Sequence, residues 1–234
     1  MSERGRPVPL LVTKTAAPRV IVLTARHHAC EAMASFVLEG AIEQFLRAKS
    51  SDQHVARRCD LFAVPFVDVD GVWAGDQGKG RQPWDHNRDY SGDGSRYRAV
   101  AALRAALAVE ARPMVGLDFH TPGLRGPLEE RPYVVASGDP GGYEAAAQLL
   151  GGATSISATT DFREAAVLLF DDPWNSVSGS GGRCFAAWLR SRPNTHDAFT
   201  VEYPNAVSTG RPVYPDQARR FGAAILSGLL SLLC

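Results

Sequence analysis

The sequence has little cysteine, no net charge and no apolar run of membrane-spanning length, and each of these absences narrows the kinds of protein it can be. Its four cysteines are scattered through 234 residues without a CxxC pair. The sequence therefore does not predict a disulfide scaffold, and it fits a reducing, cytoplasmic compartment better. Lysine plus arginine and aspartate plus glutamate both number 25, and no basic stripe is present. Neither nucleic acid nor an anionic membrane is therefore an expected partner.

The two ends of the sequence also lack the signals of membrane insertion. The first twenty residues contain arginine and proline but no apolar segment typical of a secretory signal. The final segment, FGAAILSGLLSLLC, is apolar over only 14 residues, which is too short to span a bilayer. We expect it to form a helix docked on the rest of the protein. The length and the 45% hydrophobic content predict one domain with a large core, over residues 1–234.

What is present is an alternation of apolar segments with periods typical of strands and helices. The predicted strands are 19–25, 61–67, 114–119, 133–137 and 199–203, and the predicted helices are 31–48, 95–110, 141–150, 183–191 and 215–232. This order predicts an α/β fold with a mixed, mainly parallel twisted sheet flanked by helices. Segment 68–94 has no periodicity and is longer than an ordinary connection, which is typical of a functional loop.

Polar residues with metal-binding chemistry follow two of the predicted strands. His28 and Glu31 come after strand 19–25, and His120 ends strand 114–119. Ligands usually bind at the carboxyl edge of an open α/β sheet, and two histidines with one glutamate form a common catalytic zinc site. His27 is four residues from Glu31, and we interpret it as a neighbour of the site rather than a ligand. Glu202 lies in an apolar strand, where a carboxylate needs a partner or a function.

Five short motifs in a fixed order resemble the zinc carboxypeptidase family. They are His28-Ala-Cys-Glu31, Asp70-Gly71-Val72, Asp85-His86-Asn87-Arg88, Asp118-Phe119-His120 and Glu202 in FTVEYP. The resemblance covers about residues 19–205, and it implies the α/β fold of that family. Two positions depart from the family pattern, because the HxxE motif lacks the usual Pro-Gly and Asp68-Val69 stand where Asn-Pro is usual.

The resemblance implies a role for each matched residue. His28, Glu31 and His120 would hold one zinc ion per chain, and Glu202 would be the general base that activates the zinc-bound water. Asp85 would orient His28.

Two further roles concern the substrate. Asn87 and Arg88 would bind its terminal carboxylate, since a guanidinium forms a bidentate fork. A cation from the long loop would stabilise the oxyanion. The candidates are Arg81 and Lys79, of which we prefer Arg81.

The substrate class has alternatives at this stage. Well-known carboxypeptidases of the family carry a mobile tyrosine near the segment matched by Ser180-Gly181-Gly182, where this sequence has Ser176 and Val177. The zinc motif also begins early, which resembles the related aspartoacylase and succinylglutamate desuccinylase enzymes. The expected substrate is therefore a small peptide or, alternatively, an N-acyl amino acid. A binding module without catalysis is a further alternative, and the sequence leaves the oligomeric state open.

Overall fold

Each predicted strand and helix has a counterpart in the structure, and strand 19–25 and helix 215–232 keep their predicted boundaries. A computed structural model describes residues 1–51, 54–79, 81, 84–122, 131–156, 165–169, 183–208 and 210–233. The strands are β1 (Leu11–Val12), β2 (Arg19–Ala25), β3 (Cys59–Val64), β4 (Met114–His120), β5 (Tyr133–Val135), β6 (Ala166–Leu168), β7 (Thr195–Glu202), β8 (Val207–Ser208) and β9 (Arg211–Pro212). The helices are α1 (Ala32–Ser50), α2 (His54–Arg57), α3 (Val69–Ala74), α4 (Arg98–Ala108), α5 (Gly142–Ile156), α6 (Phe185–Arg190) and α7 (Pro215–Leu232).

The main sheet is mixed and mostly parallel, as the sequence predicts. Its seven strands lie in the order β1-β3-β2-β4-β7-β5-β6, and β8 pairs with β9 in a separate ribbon. The central strands β3, β2, β4 and β7 are parallel, whereas β1 and β5 pair antiparallel with β3 and β7. The carboxyl ends of β2, β4 and β7 therefore meet at one edge of the sheet.

Helices cover both faces of this sheet, which makes it a three-layer domain. Side chains alternate between the two faces along a strand. In β2, Ile21 and Leu23 pack with α1, α5 and α7, whereas Val20 and Val22 pack with α4 and α6. Burial on both faces explains why β2 is an almost continuous apolar run. In the described ranges, no helix combines the length and the apolar character that crossing a bilayer requires.

The described part of segment 68–94 contains regular structure that its composition does not predict. It contains α3 and a 3-10 turn over His86–Arg88. Asp68 caps α3 by accepting a hydrogen bond from the Gly71 N–H at 2.9 Å, which satisfies one of the free donors of the first turn. Two edge strands, β1 and β6, are too short to give a periodic signal, and the sequence did not predict them. The Gly/Ser-rich stretch 171–182, with Ser176 and Val177, lies outside the described residues.

Candidate active site

Three predicted ligands come together at the carboxyl edge of the sheet. His28 follows β2, Glu31 is the residue that caps α1, and His120 ends β4. Nδ1 of His28 lies 2.9 Å from Oε1 of Glu31, and Nδ1 of His120 lies 2.8 Å from Oε2 of the same carboxylate. Potential ligand atoms of the three residues all lie within 4.8 Å of one another, and all three residues are buried. The set has the composition and the compactness of a His₂Glu metal site.

A sharp turn between β2 and α1 brings the first two ligands into place. Arg26 adopts a left-handed backbone conformation with φ of 60°, which is uncommon for a residue other than glycine. Its guanidinium donates to the Ala29 carbonyl and to the Ser35 hydroxyl, so the side chain fastens the turn it makes. Glu31 then lies at the positive end of α1, where the helix dipole favours a carboxylate.

Each of the two histidines contacts a second carboxylate through the ring nitrogen that faces away from Glu31. Nε2 of His28 lies 3.0 Å from Oδ2 of Asp85, and Nε2 of His120 lies 2.8 Å from Oδ2 of Asp118. Hydrogen bonds donated by Nε2 to these carboxylates would leave both Nδ1 atoms for a common ligand. Metal-binding histidines are typically oriented in this way. The position of Asp85 agrees with its predicted role toward His28.

The electrostatic environment of the three ligands favours positive charge between them. Burial alone would raise the pKa of Glu31, but His120 and His28 outweigh burial and hold it well below its usual range. Burial likewise opposes a charge on His120, yet Asp118 and Glu31 raise its pKa well above the ordinary value. The residues thus provide a buried environment that stabilises a cation, and the donor set of two imidazole nitrogens and a carboxylate fits zinc.

Glu202 lies at the same edge and differs from the other carboxylates. It ends β7 directly beside His120 in the parallel register. Its side chain is buried, and Oε2 makes no hydrogen bond to any described residue. Burial raises its pKa to about 7, although His120 and Lys79 lower it. A buried carboxyl group with a pKa in this range is suited to exchanging protons near neutral pH.

Of the two candidate cations, the structure brings Lys79 rather than Arg81 to the ligands. Nζ of Lys79 lies 2.7 Å from Oε1 of Glu31 and donates to the Thr121 carbonyl at 2.7 Å. The guanidinium of Arg81 instead pairs with Asp68 and Asp76, at 2.5 and 2.8 Å. Our preference for Arg81 is therefore not supported by its placement, because two carboxylates of its own loop engage it.

A glycine allows Lys79 to approach the ligands. Gly78 has a φ of 84°, and a Cβ atom there would lie 2.3 Å from the Ala29 nitrogen. The loop therefore packs directly on the backbone of the His28–Glu31 turn, and the Gln77 carbonyl accepts a hydrogen bond from the Cys30 N–H at 3.0 Å. Lys79 follows at once, which explains its position beside Glu31.

The predicted carboxylate-binding pair is split between two environments. The Asn87 amide is buried, with Nδ2 3.1 Å from Nε2 of His120 and Oδ1 accepting from the Phe185 N–H at 3.0 Å. Arg88 is half-buried and donates to the Asn87 carbonyl. Among the described residues, its guanidinium has no carboxylate at ion-pair distance. Asn87 therefore contacts the ligand His120, whereas Arg88 has donors left for another anion.

The structure places His27 beside the site, as a neighbour of His120. It is fully buried, with Nε2 2.7 Å from the Tyr90 hydroxyl and Nδ1 2.9 Å from Oδ1 of Asp118. Together with Asp118 and His120 it forms a second compact group of possible ligands. The Asp-x-His spacing of 118 and 120 was visible in the sequence, but its link to His27 depends on the pairing of β2 with β4.

Solved metallo-carboxypeptidases share this fold. One from Burkholderia cenocepacia matches at 20% identity with a TM-score of 0.71, over 98% of this chain and 62% of that chain. One from Pseudomonas aeruginosa, in complex with (2-guanidinoethylmercapto)succinic acid, matches at 20% identity with a TM-score of 0.74, over 98% and 61%. Carboxypeptidase A from Helicoverpa armigera matches at 15% identity with a TM-score of 0.72, over 97% and 64%.

At these identities the likeness concerns the fold, and the chain spans about three fifths of the length of these proteins. The family itself follows from the sequence. The family model described as zinc carboxypeptidase matches residues 1–119, which is half of the chain. The chain belongs to the zinc carboxypeptidase family.

Proposed function

We propose that the protein is a zinc-dependent hydrolase that cleaves a peptide or amide bond next to a free carboxylate. The observation that carries this proposal is the buried Glu202 carboxyl, whose Oε2 has no hydrogen-bond partner in the described residues, at the end of the strand beside His120. A purely structural carboxylate in this position would be expected to have a hydrogen-bond partner.

His28, Glu31 and His120 would hold the metal in this proposal. When bound there, zinc supplies Lewis acidity toward the scissile carbonyl and lowers the pKa of a coordinated water. Three protein ligands are the number that catalytic zinc sites use. Asp85 and Asp118 fix the two imidazole rings so that both Nδ1 atoms face Glu31.

Glu202 acts as the general base. Its carboxylate accepts the proton of the attacking water and then delivers that proton to the leaving nitrogen, so the residue ends the cycle ionised again. A pKa of about 7 suits both transfers, since the group neither holds nor refuses the proton strongly near neutral pH.

Lys79 takes the role of the oxyanion-stabilising cation in place of Arg81. Burial lowers the pKa of Lys79, but Glu31 and Glu202 outweigh it and raise the pKa above its ordinary value. The ammonium therefore stays charged beside the ligands, where negative charge develops on the carbonyl oxygen.

Arg88 anchors the free carboxylate of the substrate. It is next to Asn87 in the 3-10 turn. Burial would raise the pKa of Asp85, but His28 and the charge of Arg88 outweigh burial and lower it. A guanidinium with unpaired donors this close to the ligands suits a carboxylate located a few bonds from the scissile amide. The same chemistry would accept an N-acyl amino acid, which remains the alternative substrate class.

Metal content and substrate screening together test the proposal. We expect about one zinc per chain in protein purified without chelator, and a strong loss in His120→Ala. The substrate screen pairs free-acid dipeptides and N-acyl amino acids with their C-terminal amides. Hydrolysis should be confined to the free acids, and whichever acid class reacts fixes the substrate class.

Arg88→Ala provides the decisive contrast. It should raise KM for free acids and have little effect on any residual reaction with the amides. Arg190→Ala is the matched control, because that guanidinium is half-buried and paired with Asp139. An equal effect of Arg88→Ala on acids and amides would remove the anchor role. Zinc binding without turnover of any free-acid amide would favour the binding-module alternative.

A further inference from the structure

A chain of buried polar groups extends from His120, a ligand in the proposed zinc site, to Tyr90, which packs with residues of α4 and α6. We infer that Tyr90 and His27, acting through Asp118, are positioning residues that hold His120 in its metal-binding tautomer. The inference rests on the proposed zinc site. The Tyr90 chain is defined here as Tyr90, His27, Asp118 and His120.

The contacts of the Tyr90 chain are short and consecutive. The Tyr90 hydroxyl lies 2.7 Å from Nε2 of His27, and Nδ1 of His27 lies 2.9 Å from Oδ1 of Asp118. Oδ2 of Asp118 lies 2.8 Å from Nε2 of His120. The contact of His27 with Asp118 is close, but Nδ1 makes no hydrogen bond to a described residue in the present ring orientation. It is therefore the link most sensitive to the position of the ring.

The direction of every hydrogen bond follows from Asp118. Its carboxylate is fully buried, with the rings of His27 and His120 beside it and the Thr24 hydroxyl donating to it. An ionised carboxylate can only accept. Oδ1 already accepts from the Thr24 hydroxyl at 2.7 Å, so the His27 nitrogen that faces it must carry a proton. With the proton on Nδ1, Nε2 is the acceptor, and the Tyr90 hydroxyl donates to it at 2.7 Å.

The same reasoning sets the tautomer of His120. Nε2 has two polar neighbours, Oδ2 of Asp118 at 2.8 Å and Nδ2 of Asn87 at 3.1 Å. The carboxylate requires an N–H on this nitrogen, and the amide would require a lone pair. The charge-assisted contact is the shorter and the stronger of the two. His120 therefore carries its proton on Nε2 and presents the lone pair of Nδ1 to the ligand set.

Packing fixes the remote half of the chain. Tyr90 and His27 are almost completely buried, and the ring of Phe185 contacts both, with centroid distances of 5.4 and 5.6 Å. Trp188 covers Tyr90 at 5.5 Å. A tyrosine hydroxyl without a partner in such surroundings would destabilise the folded protein. Tyr90 is thus held in the orientation in which it donates to His27.

The group of His27, Asp118 and His120 could instead be a second metal site. The contacts favour positioning, because Asp118 already accepts from Thr24 and His120 and lies against His27. A metal there would have to displace these hydrogen bonds. The metal stoichiometry separates the two interpretations.

The tautomer of His27 is the direct test. In zinc-loaded protein labelled with ¹⁵N-histidine, a long-range ¹H–¹⁵N spectrum should show His27 as a neutral ring protonated on Nδ1. Comparison with His27→Asn assigns the signal. A ring protonated on Nε2, or on both nitrogens, would overturn the inference.

Zinc affinity measured by chelator competition is the second readout. Tyr90→Phe removes one hydroxyl and should weaken zinc binding about tenfold, and His27→Leu should weaken it up to about 100-fold. His27→Asn keeps a donor toward Asp118, so its affinity should lie between those of His27→Leu and the wild type. Wild-type affinity in all three variants would contradict the inference, as would two zinc ions per chain with one lost in His27→Leu. If the wild type binds no zinc, the proposed function fails. The same spectrum is then recorded on metal-free protein, where a His27 ring that is not protonated on Nδ1 alone overturns the inference.

Discussion

Three carboxylates at one sheet edge differ in their ionisation, and this difference assigns their roles. Glu31 and Asp118 are buried beside histidines, which outweigh burial and hold their pKa values low. Glu202 is equally buried but lacks a hydrogen bond at Oε2, and burial raises its pKa to about 7. Neighbouring titratable groups with separated pKa values commonly divide acid–base tasks in this way. Two of these residues therefore suit permanent negative charge, and Glu202 suits proton transfer.

Replacing Glu202 should separate catalysis from metal binding. Glu202→Gln keeps the shape of the side chain but cannot accept a proton, so kcat should fall by about 10²–10⁴-fold. The zinc content should stay at the wild-type level, because Glu202 is outside the proposed ligand set. Steady-state kinetics and elemental analysis of the same preparations measure both. Loss of zinc in Glu202→Gln would show that the residue belongs to the metal site.

The raised pKa of Glu202 also predicts a pH-dependent effect on stability. Because the folded-state pKa of about 7 lies above the unfolded value of about 4.3, the folded protein binds the proton more tightly. The wild type therefore loses stability from this group as the pH rises from about 4 through 7. In chelator-treated protein, Glu202→Gln should gain in Tm relative to the wild type between pH 5 and pH 8. A difference in Tm between the two proteins that stays constant from pH 5 to pH 8 would argue against the raised pKa of Glu202.

At the scale of elements, the loop over residues 75–81 positions Lys79. Gly78 has a backbone conformation that favours glycine, and its Cα packs on the backbone of the turn that carries His28. Arg81 ties the loop to α3 by pairing with Asp68. Lys79, the proposed oxyanion-stabilising cation, is therefore placed by one close backbone contact and one ion pair.

Gly78→Ala should disturb this placement. An alanine at this position would have to adopt φ of 84°, and its methyl group would collide with the Ala29 nitrogen. The loop must therefore move. We expect kcat to fall by at least about tenfold, since misplacing a charged group by 1 Å can reduce rates about 10²-fold. Gly75→Ala is the matched control, because its φ is also positive but a Cβ there meets no atom within 4 Å. Similar kinetics in both variants would mean that Lys79 does not need this contact.

The sequence predicts the regular elements of this fold better than its loops. The strand 19–25 is identical in the sequence interpretation and in the structure, because burial on both faces gives it a continuous apolar pattern. The parallel pairing of this strand with β4 brings His28, which follows β2, and His120, which ends β4, to one edge of the sheet. The choice between Arg81 and Lys79 could not be made from spacing, because it depends on the left-handed turn at Gly78. The link between His27 and Asp118 likewise depends on tertiary pairing of two strands distant in sequence.

Asp60 connects the edge of the sheet to the segment before β2. Its carboxylate accepts from the backbone N–H and the hydroxyl of Thr15, from the hydroxyl of Thr13 and from Arg112. Burial alone would raise its pKa, but these hydrogen bonds outweigh burial and lower it. Because its folded-state pKa is lowered, Asp60 stabilises the folded protein at pH values above its unfolded pKa of about 3.9. This contribution is lost as the pH falls below that value.

Asp60→Asn should therefore destabilise the protein by about 2–3 kcal/mol at pH 7. The difference from the wild type should shrink as the pH falls below about 4, because the wild-type carboxyl then also becomes neutral. Chemical denaturation at several pH values measures it. Asp93→Asn, at an exposed position, is the control and should change stability little. A pH-independent difference would assign the effect of Asp60→Asn to packing instead of charge.

For the whole molecule, the layer of α1, α5 and α7 supports the site from one face of the sheet. Helix α1 begins directly after Glu31, and α7 packs along it. The two helices approach so closely that a Cβ at Gly40 would lie 1.9 Å from the Arg219 carbonyl oxygen, and one at Gly222 would lie 1.8 Å from the Val37 carbonyl oxygen. The apolar C-terminal segment is thus a core helix that fixes the position of α1.

Gly222→Ala tests this close packing on the scale of the fold. The added methyl group has no space against α1, so the two helices must separate and lose buried contacts, which typically costs about 1–3 kcal/mol or more. For a chain of this size we expect Tm to fall by about 5 °C or more. Gly151→Ala in α5 is the matched control, since a Cβ there meets no atom within 4 Å. Alanine favours helix over glycine by about 1 kcal/mol, so this variant should keep or raise Tm. Equal Tm values in the two variants would show that α7 packs less closely on α1 than the structure describes, and the position of Glu31 would then not depend on α7.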